Sequence, residues 1–223
     1  MLITISNVLD ADHLTLLRGM IPALTWKDGA ETAGQVAKQV KQNQQADLES
    51  ITGQKIEQVL RDAVTSNSVL KAAAIPQCFS TLLLSKTETG GGYGLHIDNP
   101  FMRAGERTLR TDLSFTLFLS APQDYEGGEL VIEHAGQNHE LKAEAGDLVL
   151  YPSTSLHKVA AVTSGVRLTC IGWIESRVKD AADRETLFDL SNLKAELQPR
   201  LEAQSVEMLI LSKVIANLKR RFG

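Results

Sequence analysis

Residues 111–120 read TDLSFTLFLS, and the pattern within them decides what kind of fold surrounds them. Leu113, Phe115, Leu117 and Leu119 alternate with Asp112, Ser114, Thr116 and Phe118. On an extended chain successive side chains point to opposite faces, so a period of two predicts a strand with one strongly apolar face. Five more strand candidates follow: GELVIE (128–133), QNHELKA (137–143), GDLVLYP (146–152), SLHKVAAV (155–162) and VRLTCIGWIE (166–175). Turn formers separate them, at Tyr125-Glu-Gly-Gly, Ala135-Gly, Ala145-Gly-Asp and Ser164-Gly. Many short strands at close intervals predict a sandwich, jelly roll or barrel.

Helical patterns lie on both sides of this block. Asp10 to Met20 carries Leu14, Leu17 and Met20 on one helical face, with Pro22 as its stop. TWKDGAETAG (25–34) has the composition of a loop, and Val36 to Gln45 is polar and helix-compatible. Gly53 to Ala74 repeats apolar residues at helical spacing, as do Ala181 to Leu197 and Leu201 to Phe222. The expected class is therefore α+β: one domain over residues 1–176 with N-terminal supporting helices, then a C-terminal helical extension over 177–223. The face formed by Leu201, Val206, Leu209, Ile210, Val214, Ile215 and Leu218 is wide enough to dock on the body or to form a homodimer.

Composition narrows the function. Of 223 residues, 43% are hydrophobic and 22% charged, as in a globular protein. With 23 basic and 27 acidic residues in no long block, nothing suggests nucleic-acid binding. The basic end Lys219-Arg220-Arg221 suits a helix C-terminus, where the dipole favours cations. No apolar run approaches the roughly 20 residues that span a bilayer, and MLITISNVLDADHL lacks the basic start and long apolar stretch of a signal peptide. A cytoplasmic protein that does not enter a membrane is expected. Cys78 and Cys170 are too few for a disulfide framework, and Cys170 in RLTCIGWI reads as a small buried residue.

Chemistry enters at GLHIDNP (94–100). Five histidines and 27 acids make a His-x-acid match about even odds by composition, so the tripeptide alone proves little. On a strand, however, His96 and Asp98 share a face while Leu95 and Ile97 pack the other way, against the core. One imidazole and one carboxylate side by side are two metal ligands. A third from a distant strand would complete the facial triad of a non-haem iron site. His134 and His139 bracket the turn EHAGQNHE and read as solvated. His157, after GDLVLYP, is either that third ligand or a hydrogen-bonded histidine at a barrel rim. Arg167 opens an apolar strand, so its guanidinium needs an anion: either a protein carboxylate such as Asp112 or the carboxylate of a bound cosubstrate.

These residues, with YGLHIDN, RTDLSFTLFLS, DYEGGEL, AGDLVLYPSTSLHKV and GVRLTCIGWIES, closely resemble the bacterial PKHD-type hydroxylases, Fe(II)/2-oxoglutarate-dependent dioxygenases related to prolyl 4-hydroxylases. The resemblance extends to TWKDGAETAGQVAKQVKQN upstream and ESRVKDAADRETLFDL downstream. It implies a double-stranded β-helix (jelly-roll) core, with His96, Asp98 and His157 as iron ligands and Arg167 as partner of the distal carboxylate of 2-oxoglutarate. It also implies dioxygen and a peptidyl, amino-acid or small-molecule C–H substrate, release of succinate and CO2, and L-ascorbate as a candidate auxiliary. One departure concerns a tyrosine that the family carries on the strand before its first histidine. Here LLLSKTETGGGYG places Leu84, Ser85 or Lys86 near that position, with Tyr93 displaced from it. The loop DNPFMRAGERT offers Phe101, Met102, Arg103 and Arg107 as substrate contacts or as an exposed loop, and Trp173 is either core or pocket lining. Two rival classes remain: a jelly-roll binding module, and a cupin-like metalloenzyme independent of 2-oxoglutarate.

Overall fold

The computed structural model describes the backbone of residues 1–32, 38–104 and 107–223, and all their side chains but those of Thr32, Arg103 and Ala104. The strands are β1 (Ile3–Ile5), β2 (Trp26–Asp28), β3 (Lys41–Gln42), β4 (Gln44–Ala46), β5 (Pro76–Phe79), β6 (Leu83–Glu88), β7 (Gly92–His96) and β8 (Phe101–Ala104). They continue as β9 (Arg107–Arg110), β10 (Leu113–Phe118), β11 (Tyr125–Gly127), β12 (Leu130–His134), β13 (Gln137–Leu141), β14 (Leu148–Pro152), β15 (His157–Val159) and β16 (Val162–Ser176). The helices are α1 (Ala11–Met20), α2 (Ile51–Ser66), α3 (Ser68–Ala74), α4 (Ala181–Leu197) and α5 (Val206–Phe222).

A major sheet runs β1-β14-β10-β16-β6-β4-β2, with β5 and β11 also on β16, and a minor sheet runs β13-β12-β15-β7-β3. All of these pairings are antiparallel. The stretch Thr111–Ser120 supplies β10, hydrogen-bonded between β14 and β16 with all six strand residues buried. Its two faces do different work. Leu113, Phe115 and Leu117 turn outward and join Leu150, Cys170 and Ile174 in a core against α1, α2 and α3. Phe118 turns inward and meets Leu130 and Ile132 of the minor sheet, with Val149 and Tyr151. The double coverage explains why a strand with polar Ser114 and Thr116 has no exposed side.

Side-chain caps fix the starts of the helices. The Asp10 carboxylate accepts from the His13 amide at 2.9 Å, and Ser50 Oγ accepts from the Gly53 amide at 3.0 Å. The helical pattern of residues 53–74 is two helices, because Asn67 Oδ1 accepts from the Leu70 amide at 2.9 Å and restarts the chain at Ser68. At the C-terminus the helix begins at Val206 behind the Ser205 cap, so Leu201 lies outside it. Met208 and Ile215 of α5 are buried, the latter in a cluster with Val178 and Leu187, while Val206, Leu209, Ile210 and Val214 are exposed.

Two expectations for the N-terminal region are corrected. Val36 and Ala37 lie outside the described residues, but Lys41–Gln42 and Gln44–Ala46 are strands rather than helix. They pair with the edges of both sheets, Lys41 opposite Tyr93 and Gln45 opposite Ser85. Their polarity belongs to a cavity wall, not to a solvated helix surface. Within the expected loop, Trp26–Asp28 is a strand and Gly29–Thr32 a 3-10 turn, while Ala33 and Gly34 lie outside the described residues.

Gly172 lies opposite Phe115 in the β10–β16 pair, and a Cβ built there would stand 2.5 Å from Phe115 Cζ. Gly172→Ala is therefore expected to cost about 1–3 kcal/mol in urea denaturation, the range for overpacking a filled core. A wild-type midpoint would show that this core can yield.

Candidate metal centre and cosubstrate cavity

His96 ends β7 and His157 begins β15, and the two are register partners across the antiparallel pair. Directly opposed residues bring their side chains close, and the imidazole centroids stand 4.2 Å apart. Asp98 follows two residues past the end of β7, with its Oδ1 3.7 Å from His157 Nε2. One ligand atom from each of the three residues falls within 4.8 Å of the others.

The histidine rings are oriented by the backbone. His96 Nδ1 donates to the Gly94 carbonyl at 2.8 Å, and His157 Nδ1 to the Ser155 carbonyl at 3.0 Å. Since a neutral imidazole carries one N–H, these bonds leave each Nε2 as a free lone pair. Burial, reinforced by His157, pulls the pKa of His96 down to about 4, which keeps that ring neutral. Tyr93 stacks on His96 with centroids 3.6 Å apart, and Tyr151 meets His157 edge-on at 5.2 Å.

The expected partition of the GLHIDNP strand is only half right. His96 and Asp98 do converge, but Leu95 and Ile97 are 61% and 56% exposed and hold nothing against a core. The helical cover that makes the main core, α1 to α3, lies on the major sheet, whereas β7 belongs to the minor one. Ile97 instead sits at the mouth of the cavity. His134 and His139 lie 6.2 Å apart with their rings tilted by 55° on the β12–β13 hairpin and take no part in the site.

A cavity of about 850 Å³, open mouth included, runs inward from the three residues between the sheets to Arg167. Along β16 the inward positions are Arg167, Thr169, Ile171 and Trp173, and along β6 they are Leu83, Ser85 and Thr87. Arg167 is 2% exposed, and its guanidinium lies over the Phe118 ring at 5.3 Å. Its Nη1 donates to Thr169 Oγ1 at 3.1 Å, while Nε and Nη2 have no hydrogen-bond partner among the described residues. Asp112 is excluded as its counterion, because its carboxylate takes a two-point bond from Arg110 at 2.7 and 2.8 Å. Burial lowers the Arg167 pKa and the nearby Tyr125 and Tyr151 hydroxyls, with the Glu129 carboxylate, oppose this, but arginine remains a cation in proteins. A buried cation with two free donors, facing a cavity, has the chemistry of a carboxylate receptor.

The family of the chain now follows from comparison. The 2OG-Fe(II) oxygenase superfamily matches residues 82–175, the span from β6 to the end of β16 that carries all four residues. A PKHD-type hydroxylase of Hyphomonas neptunium is 51% identical over 222 residues, covering 100% of this chain and 99% of that one. The chain belongs to the PKHD-type hydroxylases. Another, from Synechococcus elongatus, is 44% identical over the full length of both chains. Among solved structures, the fold matches a prolyl hydroxylase from Trichoplax adhaerens crystallised with a hypoxia-inducible-factor peptide, at TM-score 0.58 and 18% identity over 85% of this chain and 86% of that one. The two facing sheets are thus the double-stranded β-helix of this oxygenase fold.

Membership makes the hydroxylase a Fe(II)- and 2-oxoglutarate-dependent oxygenase that consumes dioxygen and acts on an organic substrate. Among its described residues no helix is long and apolar enough to cross a membrane. The residues present fit the cofactors: two imidazoles and a carboxylate suit Fe(II), and the half-free guanidinium suits a dicarboxylate.

Of the three residues near the family's tyrosine position, Ser85 lines the cavity, buried and accepting from Asn43 Nδ2 at 2.6 Å, whereas Leu84 packs in the core and Lys86 turns away to pair with Glu88. Hydroxyls near Arg167 come instead from Tyr125 and Tyr151, which stand in the DYEGGEL and AGDLVLYPSTSLHKV motifs but were given no role by the sequence. Trp173 lines the cavity with its indole N–H unpartnered. Of the DNPFMRAGERT loop, a β8–β9 hairpin, Met102 lines the cavity and Phe101 and Arg107 are exposed; the Arg103 side chain, Gly105 and Glu106 lie outside the described residues.

An arginine awaiting its anion should be expendable to the empty protein. Arg167→Met is expected to leave apoprotein stability in urea unchanged or raised by about 1–3 kcal/mol, since an unpaired buried ion gives way to an apolar side chain. A loss above about 2 kcal/mol would show that the protein itself already neutralises Arg167.

Proposed function

We propose that this hydroxylase holds Fe(II) through His96 Nε2, Asp98 and His157 Nε2, and 2-oxoglutarate through the pairing of its distal carboxylate with Arg167. The observation that carries the proposal is the meeting, in one cavity, of three ligand atoms within 4.8 Å and a 2%-exposed guanidinium with two free donors. When bound, iron with 2-oxoglutarate and dioxygen supplies an oxidative decarboxylation that yields succinate and CO2 and places one oxygen atom into a substrate C–H bond.

The chain's own contribution is position and dryness. The carbonyls of Gly94 and Ser155 set the imidazole tautomers, so that both Nε2 atoms are ready as ligands without a proton to displace. Arg167 fixes one end of the cosubstrate, with the Tyr125 hydroxyl beside it as a neutral donor, its pKa raised by burial. Leu130, Val159 and Ile171 line the same cavity and exclude water from between the two ends. The mouth, with Ile97, Asn99 and Met102, faces the substrate, a peptidyl, amino-acid or small-molecule C–H.

The proposal includes a catalytic unit over residues 1–176, an accessory helical extension over 177–223 and a cytoplasmic setting in keeping with the free Cys78 and Cys170. It also includes a homodimer through Val206, Leu209, Ile210 and Val214. Sedimentation of the wild type as a dimer and of Leu209→Glu/Ile210→Glu as a monomer is expected; a wild-type monomer removes the dimer.

Purified apoprotein given Fe(II) and 2-oxoglutarate should form succinate slowly without added substrate. His96→Ala, Asp98→Ala and His157→Ala should each lose iron and this activity. Arg167→Ala should keep iron but need roughly tenfold or more 2-oxoglutarate, the loss of one charge-assisted contact. Full iron occupancy in a ligand variant refutes the ligand set, and an unchanged 2-oxoglutarate requirement removes Arg167. Metal binding with no succinate under any condition would favour the metalloenzyme that does without 2-oxoglutarate.

A further inference from the structure

We infer that Ser114 and Ser153 are positioning residues for the metal site, holding Asp98 by one carboxylate oxygen so that only the other is presented between the histidines. The inference rests on the ligand set proposed above. Ser114 Oγ lies 2.5 Å from Asp98 Oδ2 and 2.7 Å from Ser153 Oγ. Asp98 Oδ1, the other oxygen, is the one that faces His157 Nε2 at 3.7 Å.

Counting protons gives the chain a direction. A carboxylate that ligates a metal is ionised and can only accept, so the single Ser114 hydroxyl proton is committed to Asp98 Oδ2. The Ser114–Ser153 contact must then run the other way, with Ser153 donating to Ser114 Oγ. Two hydrogen bonds in series, Ser153 to Ser114 to Asp98, polarise in the same sense and end on the carboxylate.

The setting favours a dedicated role. Ser114 is fully buried at the centre of β10, between Tyr151 of β14 and Trp173 of β16 in register. A hydroxyl at such a place is unfavourable unless it is hydrogen-bonded. Ser153, 3% exposed, opens the PSTSLH turn in which Ser155 supplies the carbonyl for His157 Nδ1. One short turn therefore orients two ligands, His157 directly and Asp98 through Ser114. With Oδ2 occupied, Asp98 binds through one oxygen and leaves more of the metal's coordination sphere to exogenous ligands. Groups that hold a metal ligand from behind commonly change metal affinity by about tenfold to a hundredfold when removed.

The test uses full-length apoprotein and Co(II), read by titration calorimetry and by the visible d–d absorption of the bound ion. Ser114→Ala should weaken Co(II) binding by about tenfold to a hundredfold and alter the d–d bands, because the released carboxylate can turn or chelate through both oxygens. Ser153→Ala should act in the same direction but less, and Ser114→Thr, which keeps the hydroxyl, should restore affinity and spectrum. Wild-type affinity and bands in Ser114→Ala would overturn the inference, as would a Ser114→Thr protein as impaired as Ser114→Ala. If Ser114→Ala does not fold, Ser153→Ala decides: an unchanged spectrum overturns the relay. Asp98→Ala separates the two levels. Its loss of Co(II) alongside intact binding in Ser114→Ala removes only the serines, whereas retention of Co(II) in Asp98→Ala removes the ligand set and this inference with it.

Discussion

A guanidinium sealed between two sheets, with no carboxylate hydrogen-bonded to it among the described residues, is the constraint around which the interior is organised. Folding has to desolvate Arg167, and the described residues offer it Thr169, the face of Phe118, nearby tyrosine hydroxyls and the charge of Glu129 at a distance. An isolated buried charge is among the costliest features a fold can carry. The apoprotein bears that cost, and the proposed pairing with a dicarboxylate would relieve it. Binding energy would then be concentrated at the far end of the cosubstrate, away from the atoms that react, where it serves orientation.

The rest of the architecture can be seen as the means of keeping this polar interior affordable. Each strand of the major sheet has an outer face that builds stability and an inner face that builds chemistry. On β10 the outer residues Leu113, Phe115 and Leu117 anchor the sheet to α1, α2 and α3, while Ser114 and Thr116 look inward. On β16 Cys170 and Ile174 face the helices, while Arg167, Ile171 and Trp173 face the cavity. The strict alternation of a strand makes this division automatic. The minor sheet, which supplies both histidines, leaves Leu95 exposed on its outer side, so rigidity at the ligands comes from the backbone carbonyls and from the major sheet behind Asp98.

Much of this was legible in the chain itself. The period of two in TDLSFTLFLS, the turn residues between the later strands and the caps at Asp10 and Ser50 encode local structure through local physics. His96, Asp98, His157 and Arg167 stood out because their residue types and order fit one chemistry, and the fold brings all four to one cavity. Where expectation failed, a distant partner had decided. Lys41 to Gln45 looked helical because its polarity was attributed to water, but its ladder partners Tyr93 and Ser85 lie 40 or more residues away. Leu95 and Ile97 looked like core because a strand's apolar residues usually find one, and here that side of the sheet meets solvent.

The sequence by itself determined which residue types were available, the faces on which they fall along each strand, and the order histidine, aspartate, histidine, arginine. It could not determine which strands become neighbours, because pairing is set by long-range burial and register rather than by any local preference. Only the tertiary structure opposed His96 to His157 and closed Asp112 onto Arg110, leaving Arg167 Nε and Nη2 without a hydrogen-bond partner among the described residues. It alone brought Ser114 and Ser153, 39 residues apart, into a line behind Asp98. A hydroxyl's role depends on the atom within 3 Å of it, and that atom is chosen by the fold.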